Sequence, residues 1–138
     1  MTDEEKLELL NNRSEFNKHN GIVVTALGEG TSTVETELSR QSMNPWGSAH
    51  GGLLFALCDV AAGVAANGLK ADGVTQSGSL YYLRPASSGK LKAVAAVIKG
   101  GKKVALVETN VYDDQGNHVA RGEFEYFKVG PQKILSEA

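Results

Sequence analysis

The residues of this chain that could do chemistry are concentrated between Asn44 and Asn67. The polar turn that begins there reads Asn-Pro-Trp-Gly-Ser-Ala-His-Gly-Gly, and it leads into an apolar run in which Asp59 is the single acid. Backbone N–H groups at the start of a helix lack partners within it, so they suit an anionic oxygen. A carboxylate in apolar surroundings is destabilising unless it is paired or used. Together these residue types predict a site for chemistry at a carbonyl group.

Two groups in this segment suit different parts of that chemistry. Asp59 is the candidate base or nucleophile at the carbonyl carbon, and the N–H of Gly51, with Gly52 beside it, is the candidate donor to the oxyanion. Eight positions separate Gly51 from Asp59, which is about 12 Å along a helix. Both groups must come within roughly 3 Å of the same carbonyl group or its attacking water. The spacing therefore predicts a site shared by two subunits around a two-fold axis.

Apolar periodicity predicts the elements that must position this site. Two strands precede the helix that ends at Asn67 and four follow it, at residues 21–27, 31–38, 74–83, 90–99, 102–112 and 119–127. Short turns between the later strands favour antiparallel neighbours. A helix that is apolar nearly all round must be covered nearly all round. We predict an α+β fold in which about six antiparallel strands wrap around one long helix, with a second copy of the chain covering the remaining side.

The domain boundaries follow from length and pattern. Residues 1–138 are predicted to form a single domain with one core. A short N-terminal helix is predicted within residues 2–18, and a mobile tail is predicted over residues 129–138.

Composition disfavours several classes of partner. The formal net charge of −2 gives no support for nucleic-acid binding. Cys58 is the only cysteine, which excludes an internal disulfide framework and fits a reducing compartment. The apolar run from Leu53 to Ala66 has 14 residues, whereas a membrane span needs roughly 20. The acidic N-terminus predicts no secretory leader, and His19 and His118 lack the spacing of metal ligands. We expect a cytoplasmic protein without a membrane, nucleic-acid or metal partner.

The arrangement of these residues resembles the hotdog-fold acyl-CoA thioesterases, and most of all the phenylacetic-acid-degradation thioesterase group. The resemblance covers roughly residues 21–127 and is carried by Asn44, His50-Gly51-Gly52, Asp59, Ser77 and Tyr82-Leu83-Arg84-Pro85. It implies a hotdog fold and hydrolysis of an aryl, arylacetyl or medium-chain acyl-CoA to the free acid and coenzyme A. It implies no cofactor beyond the coenzyme A of the substrate. It also implies a homodimer with shared active sites, and such dimers often pair again into tetramers.

The resemblance assigns roles to individual residues. Asn44 and Gly51 would bind the thioester carbonyl, and Asp59 with Ser77, from the other subunit, would activate or position the water. His50 would orient the loop or the thioester. Direct attack by Asp59 and general-base catalysis by it both stay open at this point.

Coenzyme A carries phosphates that need basic and backbone contacts outside the pocket. Gly52, Arg84, Lys102 and Lys103 are the candidates for these contacts. The acyl group itself is not determined by these residues.

Two other functions are weighed against hydrolysis. An acyl-CoA hydratase or dehydratase on the same fold needs an Asp–His pair for proton abstraction and return, and here His50 precedes the helix that contains Asp59. A non-catalytic acyl-CoA-binding module would keep the groove but lose the acid, and this chain retains Asp59. Turnover of an enoyl-CoA would favour the first alternative, and tight binding without hydrolysis would favour the second.

Overall fold

A computed structural model of the protein describes residues 1–68 and 70–135. Its helices and strands, in chain order, are α1 (Asp3–Arg13), α2 (Glu15–His19), β1 (Ile22–Gly28), β2 (Thr31–Glu37), a 3-10 turn (Arg40–Ser42), α3 (Gly51–Asn67), β3 (Ala71–Tyr82), β4 (Lys90–Gly100), β5 (Val104–Tyr112) and β6 (His118–Pro131). The helix predicted within residues 2–18 is divided at Ser14, whose side chain caps α2 by accepting the Asn17 N–H at 3.1 Å. None of the helices in the described ranges is long and apolar enough to cross a bilayer.

The strands form one six-stranded sheet in the order β1-β2-β4-β5-β6-β3, with every neighbouring pair antiparallel. Alternate residues of β5 are fully buried, and Leu57 and Ala61 of α3 are buried as well. The largest fully buried side chain is that of Phe124 on β6. The sheet therefore packs its apolar face on α3, and the predicted α+β hotdog architecture is confirmed.

Strand β3 does not lie beside β4, which corrects the expectation that the later strands are all neighbours in order. It pairs with β6 instead and forms one edge of the sheet. Residues 83–89 leave β3 and cross the sheet next to the start of α3, where the Ala49 N–H donates to the Ala86 carbonyl at 2.7 Å. Farther along, the Leu38 N–H donates to the Gly89 carbonyl at 2.8 Å. This bond places the start of β4 beside the end of β2. This connection is too long for a hairpin turn, so it permits two non-adjacent strands.

A β-bulge interrupts β3 in its middle. Thr75 pairs with Tyr126 and Ser77 pairs with Glu125, so Gln76 is the extra residue. Paired residues share a face of the sheet. Thr75 therefore lies on the face of the buried Tyr126, towards α3, while Ser77 lies on the outer face with Glu125.

Hydrogen-bonded structure extends farther towards the C-terminus than the sequence pattern indicates. Strand β6 continues to Pro131, so residues 129–131 of the predicted tail belong to the sheet. Beyond it, the Gln132 amide donates to the Asn67 side chain at 2.6 Å, and the Lys133 N–H donates to the Asp72 carboxylate at 2.7 Å. These bonds connect residues 132–133 to the end of α3 and the start of β3, and the mobility of the tail stays a prediction. Residues 136–138 of the predicted tail lie outside the described residues.

Candidate active site

The start of α3 is organised by its N-cap, His50. The imidazole Nδ1 accepts the Gly52 N–H at 2.9 Å, and the His50 N–H donates to the Ser42 carbonyl at 2.8 Å. Gly51 is the first residue of the helix, so its N–H has no acceptor within α3. His50 thus occupies the Gly52 amide and leaves the Gly51 N–H as the donor for a ligand oxygen, at the positive end of the helix dipole.

The side chain of Tyr82 holds the peptide group that joins Gly51 and Gly52. Its hydroxyl donates to the Gly51 carbonyl at 2.9 Å. Partial burial raises the pKa of the Tyr82 hydroxyl above its usual value, so the proton stays available for this bond. A Cβ on Gly51 would lie 3.4 Å from the Tyr82 ring, which is an ordinary van der Waals contact, so the Tyr82 ring packs closely on this glycine without excluding a side chain. The sequence motif contained Tyr82, but nothing in the spacing of the motif predicted this contact.

Asn44 shapes the turn that precedes the helix. Its side-chain oxygen accepts the N–H groups of Trp46 and Ser48 at 2.9 and 3.0 Å. Because the donors of an Asn side chain are all on Nδ2, the turn uses the acceptor and not the donors. The amide NH2 of Asn44 is therefore suited to donate to a ligand.

A cavity of about 520 Å³ joins several of the predicted residues; we call it the Arg84 groove. Its lining includes Asn44, Gly51, Gly52, Tyr82 and Arg84, and none of the described residues that line it is a carboxylate. The structure thus brings the predicted carbonyl-binding residues together with one candidate cation.

Asp59 lies two turns farther along α3, half-buried, and lines neither this groove nor the larger cavity described below. Its carboxylate accepts the Thr75 hydroxyl at 2.7 Å. The predicted partner Ser77 instead donates to Glu125 at 2.7 Å on the outer face, because the bulge turns it away from α3. Sequence reasoning missed Thr75, and only the bulge position would have indicated it.

The predicted coenzyme-binding lysines lie far from Arg84 within one chain. Lys102 and Lys103 lie in the turn between β4 and β5, where the Lys103 carbonyl accepts the Lys128 N–H at 2.7 Å. The Arg84 N–H donates to the Val119 carbonyl at 3.2 Å. Residues 119 and 128 are nine positions apart on β6, which is about 30 Å along a strand. A single subunit therefore does not offer these three cations to one small ligand.

The thiol next to the acid is buried. Cys58 is fully buried on α3, and burial raises its pKa to about 11. A thiol with so little thiolate near neutral pH is not a nucleophile, so Cys58 contributes packing.

The family of the chain follows from comparison with known proteins. The family model described as "Thioesterase superfamily" matches residues 47–120, more than half of the chain and the segment that contains both Gly51 and Asp59. The chain belongs to the thioesterase superfamily. Its predicted enzyme class, a thioester hydrolase, is confirmed by this membership together with the relatives.

Individual relatives agree with the family assignment. The acyl-coenzyme A thioesterase PaaI of Escherichia coli K12 is 30% identical over 111 residues, which are 80% of this chain and 79% of the relative. The structure of the E. coli PaaI protein of the phenylacetic acid degradation operon has a TM-score of 0.86, covering 96% of this chain and 99% of that one at 24% identity. A Streptococcus mutans UA159 protein bound to acetyl CoA has a TM-score of 0.78 at 28% identity, covering 81% and 91%. The resemblance to the phenylacetic-acid-degradation group is thereby confirmed.

Removing the hydroxyl of Tyr82 tests whether the fixed Gly51 peptide matters for thioester hydrolysis. We expect Tyr82→Phe to lower kcat about tenfold with little change in KM, because one neutral hydrogen bond to the Gly51–Gly52 peptide, which directly follows the donor N–H of Gly51, is lost. Steady-state kinetics of thiol release measure this. Tyr81→Phe is the matched control, because Tyr81 pairs with Arg121 on the outer face and lines neither cavity. Equal kinetics for Tyr82→Phe and the wild type would contradict the positioning role.

Proposed function

We propose that this thioesterase hydrolyses acyl-CoA at sites shared by two subunits. One observation carries the proposal: Gly51 and Asp59 lie on one unbroken helix, about 12 Å apart along its axis. Within residues 1–68 and 70–135, no carboxylate lines the Arg84 groove beside Gly51. A second subunit whose α3 runs antiparallel to the first would bring its Asp59 to this groove, and the two-fold axis would create two such sites.

In the proposed mechanism, the thioester carbonyl oxygen accepts hydrogen bonds from the Gly51 N–H and the Asn44 amide. Negative charge that develops on this oxygen is stabilised by these donors and by the helix dipole. Asp59 of the second subunit either takes a proton from the attacking water or bonds directly to the carbonyl carbon, and in both cases the C–S bond breaks and the coenzyme A thiolate leaves. After direct attack, the acyl group is held as a mixed anhydride on Asp59, and water hydrolyses this anhydride to the free acid. The Thr75 hydroxyl occupies one carboxylate oxygen of Asp59 and leaves the other for the reaction. We therefore assign the supporting hydroxyl to Thr75 rather than to Ser77.

The proposed dimer has support in the sheet and in the helix. Strand β3 spans twelve residues at the sheet edge, and an edge strand offers N–H and C=O groups for pairing. On α3, Phe55, Ala56 and Val60 are exposed or half-exposed beside Asp59 although they are apolar. Pairing β3 with its copy would lay the two helices side by side in opposite directions. Further pairing of dimers into a tetramer and a cytoplasmic location are also part of the proposal.

A panel of acyl-CoAs tests the proposed activity directly. We expect release of free thiol from at least one of the aryl, arylacetyl and medium-chain esters, without any added cofactor. The purified protein and a thiol-reactive dye suffice for the measurement. Absence of thiol release from every ester in the panel would overturn the assignment of acyl-CoA as the substrate.

Arg84 is proposed to contact the coenzyme A phosphates. We expect Arg84→Ala to raise KM about tenfold for every acyl-CoA while kcat changes little, because a charge-assisted contact to a non-reacting part of the substrate is lost. Lys92→Ala, which removes an exposed positive charge from β4, is the matched control. A Lys102→Ala/Lys103→Ala double variant tests whether a partner subunit supplies the remaining cations. A KM that stays at the wild-type value in Arg84→Ala would exclude the contact.

A further inference from the structure

A second cavity, of about 630 Å³, also lies at the start of α3; we call it the α2 cavity. Its lining includes Phe16 and His19 of α2, Ser42, and Gly52, Leu53 and Ala56 of α3. Gly52 lines both this cavity and the Arg84 groove. The two spaces therefore share the residue next to the Gly51 donor, where the reacting carbonyl is proposed to lie. A ligand bound at that donor lies close to both spaces.

The charged residues that line the two spaces differ, and this difference indicates which part of an acyl-CoA each space suits. The described residues that line the Arg84 groove include a cation and no carboxylate, and Asp113, whose charge interacts with that of Arg84, is not among them. The groove therefore suits anionic phosphates. In the α2 cavity, the carboxylate of Glu37 offsets the charge of Lys18, and Lys18 is already paired with Glu15 at 3.2 Å. Phosphates therefore gain less in the α2 cavity than in the groove.

The α2 cavity also offers apolar surface next to Gly52. Phe16, Leu53 and Ala56 supply it among lining residues that are otherwise mostly polar, and the volume lies within the range of ordinary ligand pockets of roughly 300–1,000 Å³. Phe16 is 61% exposed although it is a large apolar side chain. Its backbone is held in place because the Asn20 amide donates to the Phe16 carbonyl at 2.8 Å. The ring thus forms an apolar wall at the exposed side of the cavity, on a backbone position that this hydrogen bond holds.

We infer that the α2 cavity binds the acyl group, with Phe16 as a specificity-determining residue for acyl groups whose apolar body is larger than acetyl. This inference rests on the proposed acyl-CoA hydrolysis. It places the thioester across Gly51 and Gly52, with coenzyme A in the Arg84 groove and the acyl group against Phe16. Phe16 precedes residues 47–120, so this wall comes from outside the segment that matches the family model. The α2 helix gives this chain its own acyl preference.

The test compares Phe16→Ala with the wild type on acetyl-CoA and on octanoyl- and phenylacetyl-CoA. Loss of apolar contact should lower kcat/KM for the larger esters about tenfold, and hydrolysis of acetyl-CoA, whose methyl group is too small to need the wall, should stay within about twofold. Phe16→Leu, which keeps an apolar side chain, should recover most of the loss. Ile98→Ala, which removes an apolar side chain that is 53% exposed on β4 and lines neither cavity, should change nothing. Equal effects on acetyl-CoA and the larger esters, or no effect on either, would overturn the inference.

Binding separates failure of this inference from failure of the proposed function. Isothermal titration with a non-hydrolysable octanoyl thioether of coenzyme A, against free coenzyme A, reports the acyl contribution without turnover. We expect the thioether to bind more tightly than coenzyme A to the wild type, and Phe16→Ala to reduce this advantage about tenfold. An unchanged advantage in Phe16→Ala would overturn the acyl assignment, whereas a wild type that releases no thiol from any ester would overturn the proposed function.

Discussion

Asp59→Asn is expected to lower kcat about a thousandfold, because the amide can neither accept a proton from water nor attack the carbonyl. The substitution preserves shape, and the amide oxygen can still accept the Thr75 hydroxyl, so the helix and its contact should persist. Steady-state thiol release from the best ester of the panel measures the effect. The thermal unfolding midpoint should stay close to that of the wild type, which separates chemistry from folding.

Glu125→Gln is the matched acid-to-amide control for this variant. Glu125 lies on the outer face of the sheet, where it accepts the Ser77 hydroxyl, and we expect near wild-type kinetics from its replacement. The pair Thr75→Val and Ser77→Ala decides which hydroxyl supports the acid, and we expect the larger loss of kcat in Thr75→Val. Wild-type turnover by Asp59→Asn would refute the catalytic role of the carboxylate.

Mixed dimers should regain activity that neither parent variant has. Asn44→Asp keeps the oxygen that accepts the Trp46 and Ser48 N–H groups but replaces the donor NH2 with an anionic oxygen, so its homodimer should be nearly inactive. In a mixed dimer with Asp59→Asn, one site combines both substitutions and the other has neither. Equal mixing yields half mixed dimers with one intact site each, so about a quarter of the wild-type activity should return.

Subunit exchange must be verified in this experiment. Two affinity tags and tandem purification isolate the mixed dimer, whose activity should be about half that of the wild type. A purified mixed dimer with no more activity than its parents would show that each site is built within one subunit. Recovery would instead establish that Asn44 and Asp59 of different chains act on one substrate.

The strands and α3 are largely predictable, because their patterns reflect burial on one sheet face and around one helix. The start of the site can also be predicted from the sequence, because two consecutive glycines after His50 indicate that the backbone approaches a ligand or a side chain closely. The eight-residue separation of Gly51 and Asp59 needs only the rise of a helix, and α3 is unbroken between them.

Other features depend on long-range contacts that local patterns do not encode. The place of β3 beside β6 depends on the path of residues 83–89 past Ala49. The continuation of β6 to Pro131 depends on a long partner strand, because residues 129–131 have no strong strand pattern of their own. Thr75 rather than Ser77 contacts the carboxylate of Asp59 because one unpaired residue lies in the middle of β3.

The extra residue, Gln76, determines whether the side chains of Thr75 and Tyr82 lie on the same face of the sheet. Thr75 and Tyr82 are seven positions apart, and in an uninterrupted strand an odd separation puts two side chains on opposite faces. The bulge shifts the parity, so both hydroxyls reach α3, one at Asp59 and the other at Gly51. Strand β3 thus contacts α3 at both of the positions that are proposed to take part in the chemistry, Asp59 and Gly51. A relative with one residue fewer in this strand must anchor one of the two points with a different side chain, so alignments that place a gap here compare residues that lie on opposite faces.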